Sequence, residues 1–160
     1  MTADDLFEQR SQTLGFPCDD PIKIGGLYSP VVRDGNLIYI SGQIPRVGDR
    51  VAVIGELGGT VSFEQACFGA QISTLRALAL VRQSCGTLDH VISIPRMNVF
   101  IRSTPDFTQH SEVADAASRL LTEILGANSS HARTSVGVVQ LPKGAAVEID
   151  FIFRVKASIE

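Results

Sequence analysis

The strongest constraint on this chain is an alternation near its C-terminus. From Ala145 to Val155 every odd position is apolar, whereas Glu148, Asp150 and Arg154 stand at even ones. Successive side chains of a strand point to opposite faces, so the pattern predicts a strand with one face in the core. Ile152 is the apolar exception on the polar side. Residues 131–138 (HARTSVGV) read as a partner strand reached through a tight turn, with Thr134, Val136 and Val138 towards the core. That register puts Arg133, Ser135 and Gly137 on the other face, which Arg133 then shares with Glu148. A guanidinium, a carboxylate and a small residue on a face that avoids the core serve solvent, another subunit or a ligand.

Upstream, Asp34, Gly35 and Asn36 separate two apolar runs and predict a β-hairpin over residues 31–41. Residues 46–61 hold four glycines and read as a loop with one short strand near 51–54. Ser62 with Gln65 forms a capping-box pattern ahead of Phe68, Ile72, Leu75, Leu78 and Val81 at helical spacing, and Gly86 stops that helix. Residues 91–102 predict a long strand, in which Pro95 implies an edge position or a bulge. A second helix is expected over 106–125, ended by Gly126. Residues 1–20 are polar, with a short helical hint at 4–10, and are expected to form a loosely attached N-terminal arm ahead of a single domain at 21–160.

The order is that of an α+β fold, a mixed sheet with two helices on one face. The other face, which includes Tyr39 and Ile152, still needs cover, so a closed homo-oligomer is expected. At 160 residues the chain suits one domain, burying roughly 70% of its extended surface. A net charge of -3 and scattered basic residues argue against a nucleic-acid partner. No apolar run approaches the ~18 residues of a membrane span, and the first ten residues are acidic where a signal peptide is basic then apolar. A cytoplasmic protein without membrane association is the expectation. Cys18, Cys67 and Cys85 show no ligand spacing, and His90, His110 and His131 lack the pairing of helical metal sites, so neither metal nor disulfide framework is expected.

Four segments together resemble the Rid (YjgF-like) reactive-intermediate deaminases, also called endoribonuclease L-PSP. They are GNLIYISGQIP at residues 35–45, NVFI at 98–101 leading to Asp106 and Phe107, ARTSVGV at 132–138, and LPKGAAVEID at 141–150, with Tyr28 ahead of them. The resemblance implies a chorismate-mutase-like α+β fold and a homotrimer with ligand clefts between neighbouring subunits. It further implies hydrolysis of 2-imino or enamine acids to 2-oxo acids and ammonia, with no metal or organic cofactor. By position, Arg133 matches the arginine that binds the substrate carboxylate and Glu148 the acid associated with the attacking water. Tyr28, Ser41, Gly42 and Ser135 fall at pocket-lining positions, and Ser135 stands where several members have cysteine. This chain departs from the common pattern in a longer N-terminal arm, in extra residues between Pro45 and Ser62, and in His131, where many members have proline.

The chemistry fits those residue types. Arginine offers a planar fork of donors that holds a carboxylate bidentately. A protonated imine carbon is already electrophilic, so the protein needs to orient the substrate and place a water beside a base. Two other classes share the features: a protein that binds or senses small carboxylates without turnover, and an RNA-cleaving enzyme. The latter lacks a basic stripe, a stacking platform and a paired-histidine general acid and base.

Overall fold

In the computed structural model, which describes residues 1–157, the chain opens on a well-capped helix, α1 (Ala3–Leu14). The Thr2 hydroxyl accepts from the Asp5 amide while the Asp5 carboxylate accepts from the Thr2 amide, and left-handed Gly15 ends the helix. Phe7 is fully buried, with the Arg82 guanidinium 4.8 Å from its ring centroid. Ion pairs Glu8–Arg82 and Arg10–Glu123, both 2.9 Å, fasten its flanks. The expected loose arm is therefore a docked helix. Its apolar stripe is too sparse among charged residues to stand out, and one buried phenylalanine supplies the anchor.

The 31–41 hairpin forms as expected. Strand β1 (Val31–Asp34) turns through Gly35 and Asn36 into β2 (Leu37–Gln43), with Gly35 in the left-handed region at φ 58°. The glycine-rich stretch after it contains a tiny hairpin, β3 (Arg46–Val47) with β4 (Arg50–Val51). Helix α2 (Phe63–Cys85) is capped by the Ser62–Gln65 box and stopped by left-handed Gly86. Strand β5 (Val91–Arg102) slips register around Pro95, which confirms the bulge, but it lies inside the sheet rather than at its edge. Helix α3 (His110–Leu125) starts four residues later than the sequence suggests. A turn after Pro105, in which the Phe107 amide bonds Thr104 O, uses the chain that would have made its first turn.

Strands β6 (His131–Val138) and β7 (Val147–Val155) complete a five-stranded sheet ordered β1-β2-β7-β5-β6, antiparallel except for the β5–β6 pair. The odd residues of β7 are buried, from Val147 to Val155, as their alternation requires. They meet α2, while α3 covers β5 and β6. The result is the expected α+β architecture, a mixed sheet with helices on one face. Among the described residues no helix is long and apolar enough to cross a membrane.

Two expectations about β6 are overturned. It does not form a hairpin with β7, because β5 lies between them. Its faces are also reversed: Arg133 is level with buried Met97 on the helix-covered side, whereas Val136 is level with Phe100 and, one strand further, Glu148 on the open side. Arg133 and Glu148 of one chain thus lie on opposite faces. The cause is the edge position of β6, where the helix side is bordered by polar groups of α3 that accept a guanidinium, so that Val136 is left 40% exposed. The open face carries Tyr39 beside Ile152, exposed Val32, and a polar chain in which Arg96 donates to Asn98 and Asn98 to Asp150.

Candidate active site

A β-bulge organises the site. Between the pairs Ile40–Phe151 and Gln43–Ile149, β2 inserts Ser41 and Gly42 opposite a single β7 residue, Asp150. The Ser41 amide donates to Pro30 O (3.0 Å) and its hydroxyl to Ser29 O (2.7 Å), tying down the segment that carries Tyr28. Gly42 lies against Glu148. A Cβ at residue 42 would stand 2.9 Å from Glu148 Cδ and 3.2 Å from Cγ, so the missing side chain makes the space the acid occupies. Loss of solvent, then the neighbouring Asp150 charge, raises the Glu148 carboxyl above the ordinary glutamate range. Among the described residues, no hydrogen bond offsets that shift.

Glu148, Gly42 and Tyr28 line one cleft of about 300 Å³, at the small end of ligand sites. The charged side chains that share it are otherwise cationic: Lys23, Arg46, Arg76 and Lys143. Lys143 is held at φ 59° in the turn before β7, a left-handed conformation that costs a non-glycine residue roughly 1–2 kcal/mol. Arg76, from the middle of α2, is 5% exposed. Its Nε donates to Gln43 Oε1 (3.1 Å), NH1 to Arg46 O (3.4 Å) and NH2 to Lys23 O (3.1 Å). Burial, then the Arg46 charge, lowers it to about 10, so it stays a cation at neutral pH. Sequence reasoning passed over Arg76 as part of an apolar helix. Its signal was there: between Glu64 and Arg82 it is the one charge on α2.

Arg133 is placed elsewhere. Its NH1 donates to Asp115 Oδ1 (2.8 Å) and Ser118 Oγ (2.9 Å), and its NH2 to the carbonyl (3.1 Å) and hydroxyl (2.8 Å) oxygens of Ser111. His131 supports this cluster. Its Nδ1 lies 2.6 Å from Ser129 O, which can only accept, so Nδ1 carries a proton there, and Nε2 lies 2.8 Å from Ser118 Oγ. Ser135 follows on the same face of the edge strand. Within one chain the structure therefore joins Tyr28, Gly42 and Glu148, with Ser41 bracing them, and leaves Arg133 and Ser135 apart. Among the described residues no group of His, Cys, Asp and Glu is placed to hold a metal ion.

The comparisons with known proteins agree with this architecture. The family described as Endoribonuclease L-PSP matches residues 20–155. Protein TCP17 of Trypanosoma cruzi is 36% identical over 124 residues, which are 77% of this chain and 78% of that one. A Dermatophagoides farinae protein named 2-iminobutanoate/2-iminopropanoate deaminase is 33% identical over 127 residues, 79% of this chain and 84% of its own. A crystal structure of a protein of unknown function from Agrobacterium tumefaciens superposes with a TM-score of 0.85 at 34% identity, covering 96% of this chain and 95% of the other. The match runs from before Tyr28 to the end of β7 and so takes in the hairpin, the bulge and the Glu148 strand: this chain belongs to the endoribonuclease L-PSP family, the Rid or YjgF-like proteins.

Proposed function

We propose that this protein hydrolyses small 2-imino acids, or their enamine tautomers, to 2-oxo acids and ammonia, at clefts completed by a neighbouring copy in a closed homotrimer. The observation that carries the reading is the desolvated Glu148 carboxylate lying on the bare backbone of Gly42 in a cationic cleft. A relative named for the same reaction supports it.

In this mechanism the guanidinium of Arg133 of a neighbouring copy exchanges its bonds to Ser111, Asp115 and Ser118 for the substrate carboxylate, whose reacting carbon faces Glu148. The imine nitrogen binds a proton, which makes the carbon electrophilic. A water adds to that carbon as Glu148 takes one of its protons, giving a carbinolamine; Glu148 returns that proton to nitrogen, and then, as a carboxylate again, accepts the hydroxyl proton as the C=O bond forms, the C–N bond breaks and ammonia leaves. A carboxylate raised above its ordinary range is a stronger base for the first step and a workable acid for the second. Tyr28 limits one wall of the cleft, and Ser41 keeps that wall in place. The reaction uses the chain's own groups and water.

The uncovered sheet face motivates the trimer, since Tyr39, Val32 and Val136 are all at least 40% exposed. Light scattering at micromolar concentration should give three times the chain mass. Ammonia release from 2-iminobutanoate generated in situ should exceed the uncatalysed rate by orders of magnitude. A stable monomer removes the intersubunit cleft. Thermal shifts with 2-oxo acids but no accelerated ammonia release would make it a carboxylate-binding protein instead.

A further inference from the structure

We infer that Arg46 and Arg76 form a second anion subsite inside the Glu148 cleft, which suits the protein to ligands bearing two carboxylates rather than one. The inference deepens the proposed deaminase reading and rests on it for the reaction, though not for the binding. It begins from Arg76. A buried guanidinium is expensive to desolvate and is usually met by a carboxylate, yet its acceptors here are a carboxamide and two backbone carbonyls, all neutral. Among the described residues no acid pairs with it. The five N–H groups of a guanidinium are filled at three positions by those acceptors, which leaves two.

The surroundings sharpen the imbalance. Arg46 adds a second guanidinium beside Arg76, close enough to lower it further, and no acid pairs with Arg46 either among the described residues. Lys23 differs, because Asp49 takes its ammonium. A neutral donor would satisfy the acceptors around Arg76 equally well, so latching loops to α2 does not account for the charge. An anion in the cleft does. Glu148 lines the same cleft, but among the described residues no ion pair or hydrogen bond joins it to either arginine. A four- or five-carbon 2-imino diacid would meet all three demands: one carboxylate for Arg133 of a neighbouring copy, the reacting carbon at Glu148, and the distal carboxylate at Arg46 and Arg76.

The test is calorimetric binding of glutarate and of valerate, which have equal carbon counts and neither of which reacts, to the assembled wild-type protein and to Arg76→Gln and Arg46→Gln. Glutarate should bind at least about tenfold more tightly than valerate, the value of one charge-assisted contact, and each substitution should erase most of that preference. Equal affinity for the two acids, or no binding of either, overturns the subsite, as does a preference that survives both substitutions. Should Arg76→Gln fail to fold, Arg46→Gln on the more accessible arginine carries the comparison alone. Ammonia release from 2-iminobutanoate and from 2-iminoglutarate, measured in parallel, separates the two ideas. Turnover without a diacid preference removes the subsite and leaves the deaminase; a preference without turnover removes the deaminase and leaves a diacid-binding site.

Discussion

Gly42 and Glu148 are built around each other: a β-carbon on residue 42 would come within 2.9 Å of the Glu148 carboxyl carbon, and no other residue type leaves that space open. Gly42→Ala should therefore push the carboxylate off its position. The displaced group is the end of a flexible side chain, so little stability is lost, while ammonia release should fall about a hundredfold, the usual effect of an ångström-scale misplacement. Matched melting curves and single-turnover rates check this; full activity in the Gly42→Ala protein would mean that the carboxylate is idle.

Glu148→Gln should lower turnover by about 10²–10⁴-fold while nearly sparing affinity for a non-reacting 2-oxo acid. It should also change the pH dependence of stability. The Glu148 carboxyl is raised in the folded protein, so between its unfolded and folded values the native state holds the extra proton. Stability from this group is full at low pH and is lost as pH rises through the folded value. The glutamine protein should lack that decline and melt no lower than wild type at neutral pH. Denaturant titrations from about pH 4 to about pH 8 decide it.

Arg133→Ala has two expected effects. Removing the Asp115 pair, in which the side chains are 18% and 44% exposed, should cost about 1 kcal/mol or less, a fall of a few degrees in melting temperature. If Arg133 anchors substrate, ammonia release should be abolished in the folded oligomer, and Arg133→Lys should recover little, since a point charge cannot reproduce the fork. Stability loss with turnover intact per folded site would assign Arg133 to the α3 contact alone.

Phe7→Ala should destabilise by about 3–5 kcal/mol, since the ring is fully buried and its cavity would be bounded by α2 and α3. A fall in melting temperature of roughly ten degrees is expected. Because α1 does not line the Glu148 cleft, the rate per folded site should hold. A melting temperature within a degree of wild type would return residues 3–14 to the status of a loose arm.

Local signals were the legible ones. The Ser62–Gln65 cap, the Gly86 and Gly126 stops, the hairpin through Gly35 and Asn36, and the period-two burial of β7 all depend on residues within a few positions of each other. Residues 28–42 and 141–150 also carried enough of the family pattern to single out Tyr28, Ser41, Gly42 and Glu148, three of which line one cleft.

The main strands and the long helix α2 follow from the linear order of residues, and so does the place of Glu148 on the face opposite the β7 core residues, because alternation along one strand admits no other outcome. Helix α1 and the β3–β4 hairpin do not follow from it. The position of β6 was settled by folding alone. Its pattern of small and polar residues is satisfied either way round, and the choice fell to its neighbours: parallel pairing with β5 and the acceptors Ser111, Asp115 and Ser118 on α3 turned Arg133 to the helix side. The same holds for Arg76. Its place in an apolar helix is visible in one dimension, but its meeting with Arg46 and Glu148 depends on contacts between α2, the β2 bulge and the turn before β7, which come from distant parts of the chain and are joined only by folding.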